Sequence, residues 1–506
     1  MSVISFQEAR PPLIIALDLG TSSARALLFD GRGRNVPGLE AQVPYRMTTT
    51  PDGGVEIDAD RLVDIVAQTI DQLLTLVGAS RETLHPIAAV AACTFWHNLM
   101  GVDREGLAVT PVYSWNDTRA AAAARELRNT IDERELHART GCVLHASYWP
   151  AKLTWLRGSQ PDLFNRVHRW MSVGEYLYLR LFGRTVCSIS MASATGIFNQ
   201  NECDWDRDTL SSVGIALDQL SLLGDMEAAV SGLSSGYSAR WPTLASIPWF
   251  PALGDGACGN VGSGCVTSDR AALNLGTSGA LRVAWTANEV KIPGGLWCYR
   301  VDRRRFVMGG ALSNGGDLFG WLQETLRLGT VEEVEAELDR LSADEHGLTV
   351  LPFLSGERST GWHSEARAAI IGLSLDTTPL EILRAGLESV AYRFAAIYDL
   401  IAREIERPSK VIASGAAVLR SPAWAQIISD VIGAGIFTSA EAEISSRGAA
   451  LMGLEALGVS SIDSVEIALG RAFSPDSERH RRYQDARERQ GRLYEAIIVK
   501  GAINEQ

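Results

Sequence analysis

Residues 17–28, LDLGTSSARALL, and residues 273–284, LNLGTSGALRVA, are near copies lying about half a chain apart. In each, an apolar run stops at a Gly-Thr-Ser tip and a second apolar run leaves it. Around the first tip, residues 13–19 and 25–30 read as paired strands, closed by the turn Gly31-Arg32-Gly33. Around the second, residues 271–275 and 281–285 read the same way. One such tip is common and says little. Two on matching hairpins imply a duplicated unit, and so two related halves facing each other.

Between and beyond the tips, strands alternate with helices. Residues 60–77, 120–127, 152–156 and 175–181 have helical patterns, and residues 87–93 read as a buried strand. Downstream, helices over 315–328, 331–341 and 379–404 alternate with strands at 348–353 and 410–413, and 484–498 reads as a polar amphipathic helix. Alternation of this kind implies α/β sheets covered on their faces. With 506 residues, 46% of them hydrophobic, the chain is too long for one core. The glycine-rich run 254–264, GDGACGNVGSG, is the expected hinge between domains.

The net charge of −13 and the pI near 5.2 leave no field that gathers polyanions, which argues against nucleic acid and anionic membranes as partners. A small anionic substrate survives that argument, because a pocket can be basic locally. The opening residues carry an acid and no long apolar run, and no apolar stretch approaches the ~20 residues of a membrane span. The seven cysteines are scattered and form no CxxC pair, so reduced thiols are expected rather than disulfides or zinc. A cytoplasmic location is the expectation.

Four places can carry chemistry. In the tip Gly20-Thr21-Ser22-Ser23, the glycine permits a tight turn whose outward N–H groups, with the hydroxyls of Thr21 and Ser22, suit phosphate oxygens. Asp18, at the strand end before that tip, is placed to hold Mg²⁺ through water, or is a solvated carboxylate beside a plain hairpin. Arg25 could reach a phosphate or pair with a neighbouring carboxylate. Asp255, flanked by Gly254 and Gly256, could accept the proton of an attacking hydroxyl or cap its own turn. Residues 94–98, TFWHN, put Trp96 and His97 at a strand end, where rings and hydrogen bonds grip polyhydroxylated ligands; a satisfied structural histidine is the plainer alternative. Residues 414–417, SGAA, can lie against a nucleoside ring or simply connect a strand to a helix capped by Ser421. No GxxxxGK[ST] run occurs, so a P-loop is not supported.

Taken together, LDLGTSSARALLFD, TFWHNLMGVDREG, YSWNDTR, GDGACGNVGSG, LNLGTSGALR, GGALSNGGDLFGWL and SGAAVLRSPAWAQIISDVIG resemble the FGGY carbohydrate kinases over residues 13–458. The resemblance implies two actin-like (ribonuclease H-like) domains around a central cleft. It implies an acceptor-binding domain over 11–264, a nucleotide-binding domain over 265–480 and a helical extension over 481–506. It implies ATP and Mg²⁺ as cofactors, with Thr21, Ser22, Ser23 and Arg25 at the phosphates and Asp18 facing the metal. Gly276 and Thr277 would form the second phosphate loop, and Gly316, Gly415, Ala416 and Ser421 would line the nucleotide. Asp255 would be the catalytic base. His97, with Trp96, would meet the sugar.

Phe95-Trp96 stand where the family usually has smaller residues, which suggests a bulkier wall and a different substrate. Gly386 departs from the family's second signature, a matter of helix packing. Residues 139–156 are similar to the gluconate kinases, with Lys152 and His145 as candidates for holding a carboxylate. The expected activity is phosphorylation of a small sugar, sugar acid or polyol, with a homodimer as a further expectation. Rival readings on the same fold are a non-catalytic sugar or nucleotide sensor and an actin-like assembly protein, and the glycine-flanked Asp255 disfavours both.

Overall fold

The computed structural model describes residues 8–80, 85–338 and 340–501. Strand β1 (Leu13–Leu19) pairs antiparallel with β2 (Ser23–Phe29), and β2 pairs with β3 (Asn35–Pro44). Helix α1 (Ala59–Ala79) begins at Asp58, whose side chain accepts from Arg61 N at 2.8 Å. By length and composition α1 could cross a membrane, but its apolar side, with Leu62, Val66, Ile70 and Leu73, belongs to the core over β1–β3. Strand β4 (Ile87–Thr94) joins the free edge of β1 in parallel, and β5 (Leu253–Gly254) runs parallel to β4. The sheet order is β5-β4-β1-β2-β3. Helix α2 (Asp255–Gly262) leaves β5 directly.

The second half repeats the plan. Strands β6 (Arg270–Leu275), β7 (Gly279–Thr286), β8 (Trp297–Arg300) and β9 (Arg305–Leu312) make its antiparallel part. After helices α3 (Gly316–Thr325) and α4 (Pro379–Ile401), β10 (Lys410–Ser414) lies parallel to β6. Helix α5 (Pro422–Ile432) leads to β11 (Gly435–Ser439), parallel to β10; helix α6 (Ile444–Ala456) and the edge strand β12 (Leu469–Phe473) follow. The order β8-β9-β7-β6-β10-β11-β12 contains the first sheet's order as its inner five strands. Register repeats too: Asp18 lies between Arg25 on β2 and Cys93 on β4, and Asn274 between Ala280 on β7 and Ser414 on β10.

The two halves are not sealed from each other. Helix α6 lies against the first sheet, and Ala449, Ala450 and Leu451 share a core with Ile14, Ala16, Ala89 and Ala91. Helices α4 and α5 form the second core with β6, β7 and β9. A β-carbon on Gly386 would sit 2.5 Å from Leu322 Cδ1, so the glycine lets α4 approach α3. Helix α7 (Ser477–Tyr494) is anchored by Tyr483, whose hydroxyl meets Glu388 Oε1 at 2.9 Å beside the Arg384–Glu388 ion pair.

The glycine-rich run 254–264 is not a hinge loop. Residues 255–262 are helical because the glycines serve contact rather than freedom. A β-carbon at Gly262 would overlap the Ile444 carbonyl, and one at Gly448 would overlap the Cys258 carbonyl, so α2 and α6 cross backbone to backbone.

Candidate active site

Asp255 is the first residue of α2, held at the end of β5. Its Oδ1 accepts from Gly256 N at 2.8 Å and from Trp96 N at 3.4 Å, which couples it to the loop leaving β4. Burial pushes its carboxyl pKa up, and the Arg282 guanidinium on β7 pulls it partly back. Arg282 is itself fixed by Asn260, with Nε to Oδ1 at 3.1 Å. A cleft of about 210 Å³ opens beside Asp255, lined by Trp96 and His97 from the first half and by Asn274, Ser278 and Arg282 from the second. The two halves thus meet at this carboxylate.

The wall of the cleft is aromatic. Trp96 donates Nε1 to Ser190 O at 3.0 Å and packs edge-on to Tyr299, with centroids 5.0 Å apart. Tyr299 stacks on Trp297 and shares a 2.6 Å hydroxyl contact with Tyr148. His97 has a φ of 64°, an uncommon backbone state for a side chain that is not glycine. Its Nδ1 lies 2.6 Å from Ala194 O. A carbonyl only accepts, so Nδ1 carries the proton and Nε2 keeps its lone pair. Burial lowers the His97 pKa to about 3, so the ring stays neutral and can accept from a ligand hydroxyl.

Asp18 lies within reach of Asp255's charge, outside the residues that line the cleft. Its carboxyl pKa is pushed up to about 6, first by burial and then by the charge of Asp255; the Cys93 thiol, 3.5 Å from Oδ1, offsets a little. Arg25, directly opposite Asp18 across the hairpin, pairs with Glu443 at 2.6 Å, so of its two sequence readings the carboxylate pair is the one formed here. Thr21 and Ser22 are exposed at the tip. Ser23 is buried and accepts from Gln42 Nε2 at 2.9 Å, so its hydroxyl is engaged within the hairpin.

The residues expected at the nucleotide converge around the second tip. Gly316 N donates to Gly276 O at 2.7 Å and Asp317 N to Thr277 O at 3.2 Å, which seats the start of α3 on the tip. A β-carbon on Gly316 would lie 2.5 Å from Gly276 O. Gly415, with φ of 96°, would bring one 2.5 Å from Leu275 O. Ala416 opens the short helix after β10, so tip, helix start and turn form one small-residue cradle. Ser421 stands apart. It is buried, caps α5 by accepting from Trp424 N at 3.1 Å, and gives its proton to Glu335.

Sequence reasoning missed Trp115, Tyr148, Tyr299, Arg358 and Trp362, all on the cleft wall. Asn274, Ser278 and Arg282 sit inside the second hairpin and were within reach, through the equivalence of Asn274 with Asp18. Lys152 does not face the cleft: its ammonium is buried and donates to Ala146 O at 3.0 Å and to Ser147 O at 2.5 Å, with its pKa lowered by burial to about 7.

Two copies of one five-stranded unit, meeting at a partly buried carboxylate on the cleft between them, define an actin-like phosphotransferase fold. Models of the FGGY family of carbohydrate kinases match residues 13–262 (N-terminal domain) and 271–457 (C-terminal domain). The chain belongs to the FGGY family of carbohydrate kinases. It is 25% identical over 475 residues to a gluconokinase of Bacillus subtilis (strain 168), covering 91% of each chain. It is 25% identical over 492 residues to a xylulose kinase of Escherichia coli (strain K12), covering 96% of this chain and 99% of that one. A crystal structure of gluconate kinase from Lactobacillus acidophilus superposes with a TM-score of 0.90 at 24% identity, over 96% of this chain and 98% of that one. The protein is an ATP-dependent phosphotransferase with an alcohol group as acceptor.

Proposed function

We propose that this chain transfers the γ-phosphoryl group of ATP to a hydroxyl of a small sugar acid, with gluconate-like acids ahead of ketopentoses and polyols, and that Asp255 is the base. The observation behind this reading is the position of Asp255, on a cleft whose two sides come from the two repeats. The acceptor would lie against Trp96 and His97, with Nε2 of His97 accepting one of its hydroxyl protons. Asp255 would orient the reacting hydroxyl and take its proton as the new P–O bond forms. The acceptor would bind chiefly to residues 11–264 and ATP to 265–480, with its phosphates between the cradle of Gly276, Thr277, Gly316, Gly415 and Ala416 and the hydroxyls of Thr21 and Ser22. Within the expected extension 481–506, whose last five residues lie outside the described ones, residues 481–501 would brace the nucleotide side.

Magnesium fits the carboxylates of Asp18 and Asp255. The charge of Asp255 raises the cost of ionising Asp18, and neither forms an ion pair among the described residues, so a hydrated cation between them would be favourable. When bound, it would neutralise phosphate charge. Enclosure by the aromatic wall would keep water from competing with the acceptor.

An ADP-release screen across D-gluconate, pentuloses, pentitols and glycerol tests the reading. ADP should form only when an acceptor is present, and fastest with a sugar acid. Release at one rate regardless of acceptor would contradict it and favour a sensor or an assembly ATPase.

A further inference from the structure

Arg358 lies on the loop after the strand Thr349–Leu351 and reaches the acceptor cleft. The carboxylate next to it in sequence is committed elsewhere: Glu357 pairs with Arg393 and accepts from Tyr494 Oη at 2.7 Å and from Gly361 N at 3.2 Å. Among the described residues Arg358 forms no ion pair, and its buried Nε has no hydrogen-bond partner. Its guanidinium carbon lies 5.2 Å from the centroid of the Trp115 ring. A guanidinium placed over a ring uses its face and leaves its N–H edge for a planar anion.

The groups nearest to it supply no negative charge. His97 and His145 are held neutral by burial, with Arg358 adding to the effect, and the Tyr148 and Tyr299 hydroxyls stay protonated because burial raises them. Arg282, the other guanidinium on the cleft, is bound to Asn260 and faces Asp255. Lys152 is spent on backbone carbonyls. Arg358 is therefore a partly buried cation on the cleft wall with an unpartnered Nε, and a desolvated guanidinium is strongly stabilised by an oxyanion that satisfies its donors.

We propose that Arg358 is the oxyanion-binding residue of the acceptor cleft, taking either the carboxylate of a sugar-acid acceptor or an oxygen of the phosphoryl group in transfer. The proposal rests on the kinase reading above, and the two sources of the oxyanion separate by experiment. D-gluconate and D-glucitol share every carbon and differ only in the carboxylate. With wild type, Arg358→Gln and Arg358→Lys, kcat/KM is measured for both acceptors, and folding is checked by thermal melting.

If the carboxylate is the partner, Arg358→Gln should lower kcat/KM for D-gluconate by roughly 100-fold, leave D-glucitol within about threefold, and be partly rescued by lysine. If a phosphoryl oxygen is the partner, both acceptors should fall together. Values within about twofold of wild type for both acceptors in both variants would overturn the proposal while leaving the kinase reading intact. Calorimetric titration with D-gluconate and with inorganic phosphate reads the same question without turnover. Weaker binding of either one by Arg358→Gln supports the proposal, and equal binding of both overturns it.

Discussion

The Trp96 indole lies across the two glycines that flank Asp255, and a β-carbon on either Gly254 or Gly256 would run into its ring. The same residue's backbone N–H reaches the Asp255 carboxylate, so Trp96 both shapes the cleft wall and holds the proposed base. Beside it, His97 and His145 are neutral through burial, each with a pKa near 3 where the free side chain sits near 6.5. The unfolded chain binds those protons below pH 6.5 and the folded chain does not, so each imidazole withdraws stability as pH falls from about 6.5 toward 3. Asp18 and Asp225 act in the opposite sense, since burial raises both to about 6 and their cost is relieved on acidification. A difference measurement removes that background. Urea unfolding of wild type and His97→Asn at pH 7 and pH 5 should show wild type losing roughly 1–2 kcal/mol more than the variant, reduced by the partial exposure of the ring to the cleft. Equal losses would mean that the histidine titrates normally.

At the scale of elements, the α2–α6 crossing couples packing to chemistry, because α2 begins with Asp255. On propensity alone, Gly448→Ala in mid-helix should stabilise by up to about 1 kcal/mol. The overlap of its β-carbon with the Cys258 carbonyl reverses that sign. Denaturant unfolding should show a loss of roughly 1–3 kcal/mol, with a fall in kcat as α2 shifts. Stabilisation would mean that the two helices do not cross backbone to backbone. This element also marks the limit of local reading. Residues 13–19 matched β1 end to end, because an apolar run bounded by a glycine tip is a local signal. Residues 255–262 read as turn because glycine has low helix propensity; the reason for those glycines is a helix nearly two hundred residues downstream. Arg358 had no signal at all, as nothing around it in sequence tells that Glu357 turns away to Arg393. Ser421 read correctly as a cap, and that role is what occupies its hydroxyl.

For the whole molecule, the duplication visible in two short stretches extends to ten strands in matching order, and to Asp18 and Asn274 at equivalent places. The divergence at that pair is chemical. The first half keeps a carboxylate suited to a cation. The second keeps an amide whose Nδ2 donates to Ser414 Oγ at 3.1 Å beside the proposed nucleotide cradle. The proposed division of tasks between the halves rests on this pair, and residues of both halves line the cleft. The central claim is that this meeting place works through Asp255. Asp255→Asn, assayed by acceptor-dependent ADP formation alongside calorimetric ATP binding, tests it most directly. Turnover should fall by roughly 100- to 10,000-fold, the contribution of a positioned base, with ATP affinity within about threefold of wild type. A variant that kept more than about a tenth of wild-type turnover would contradict the account.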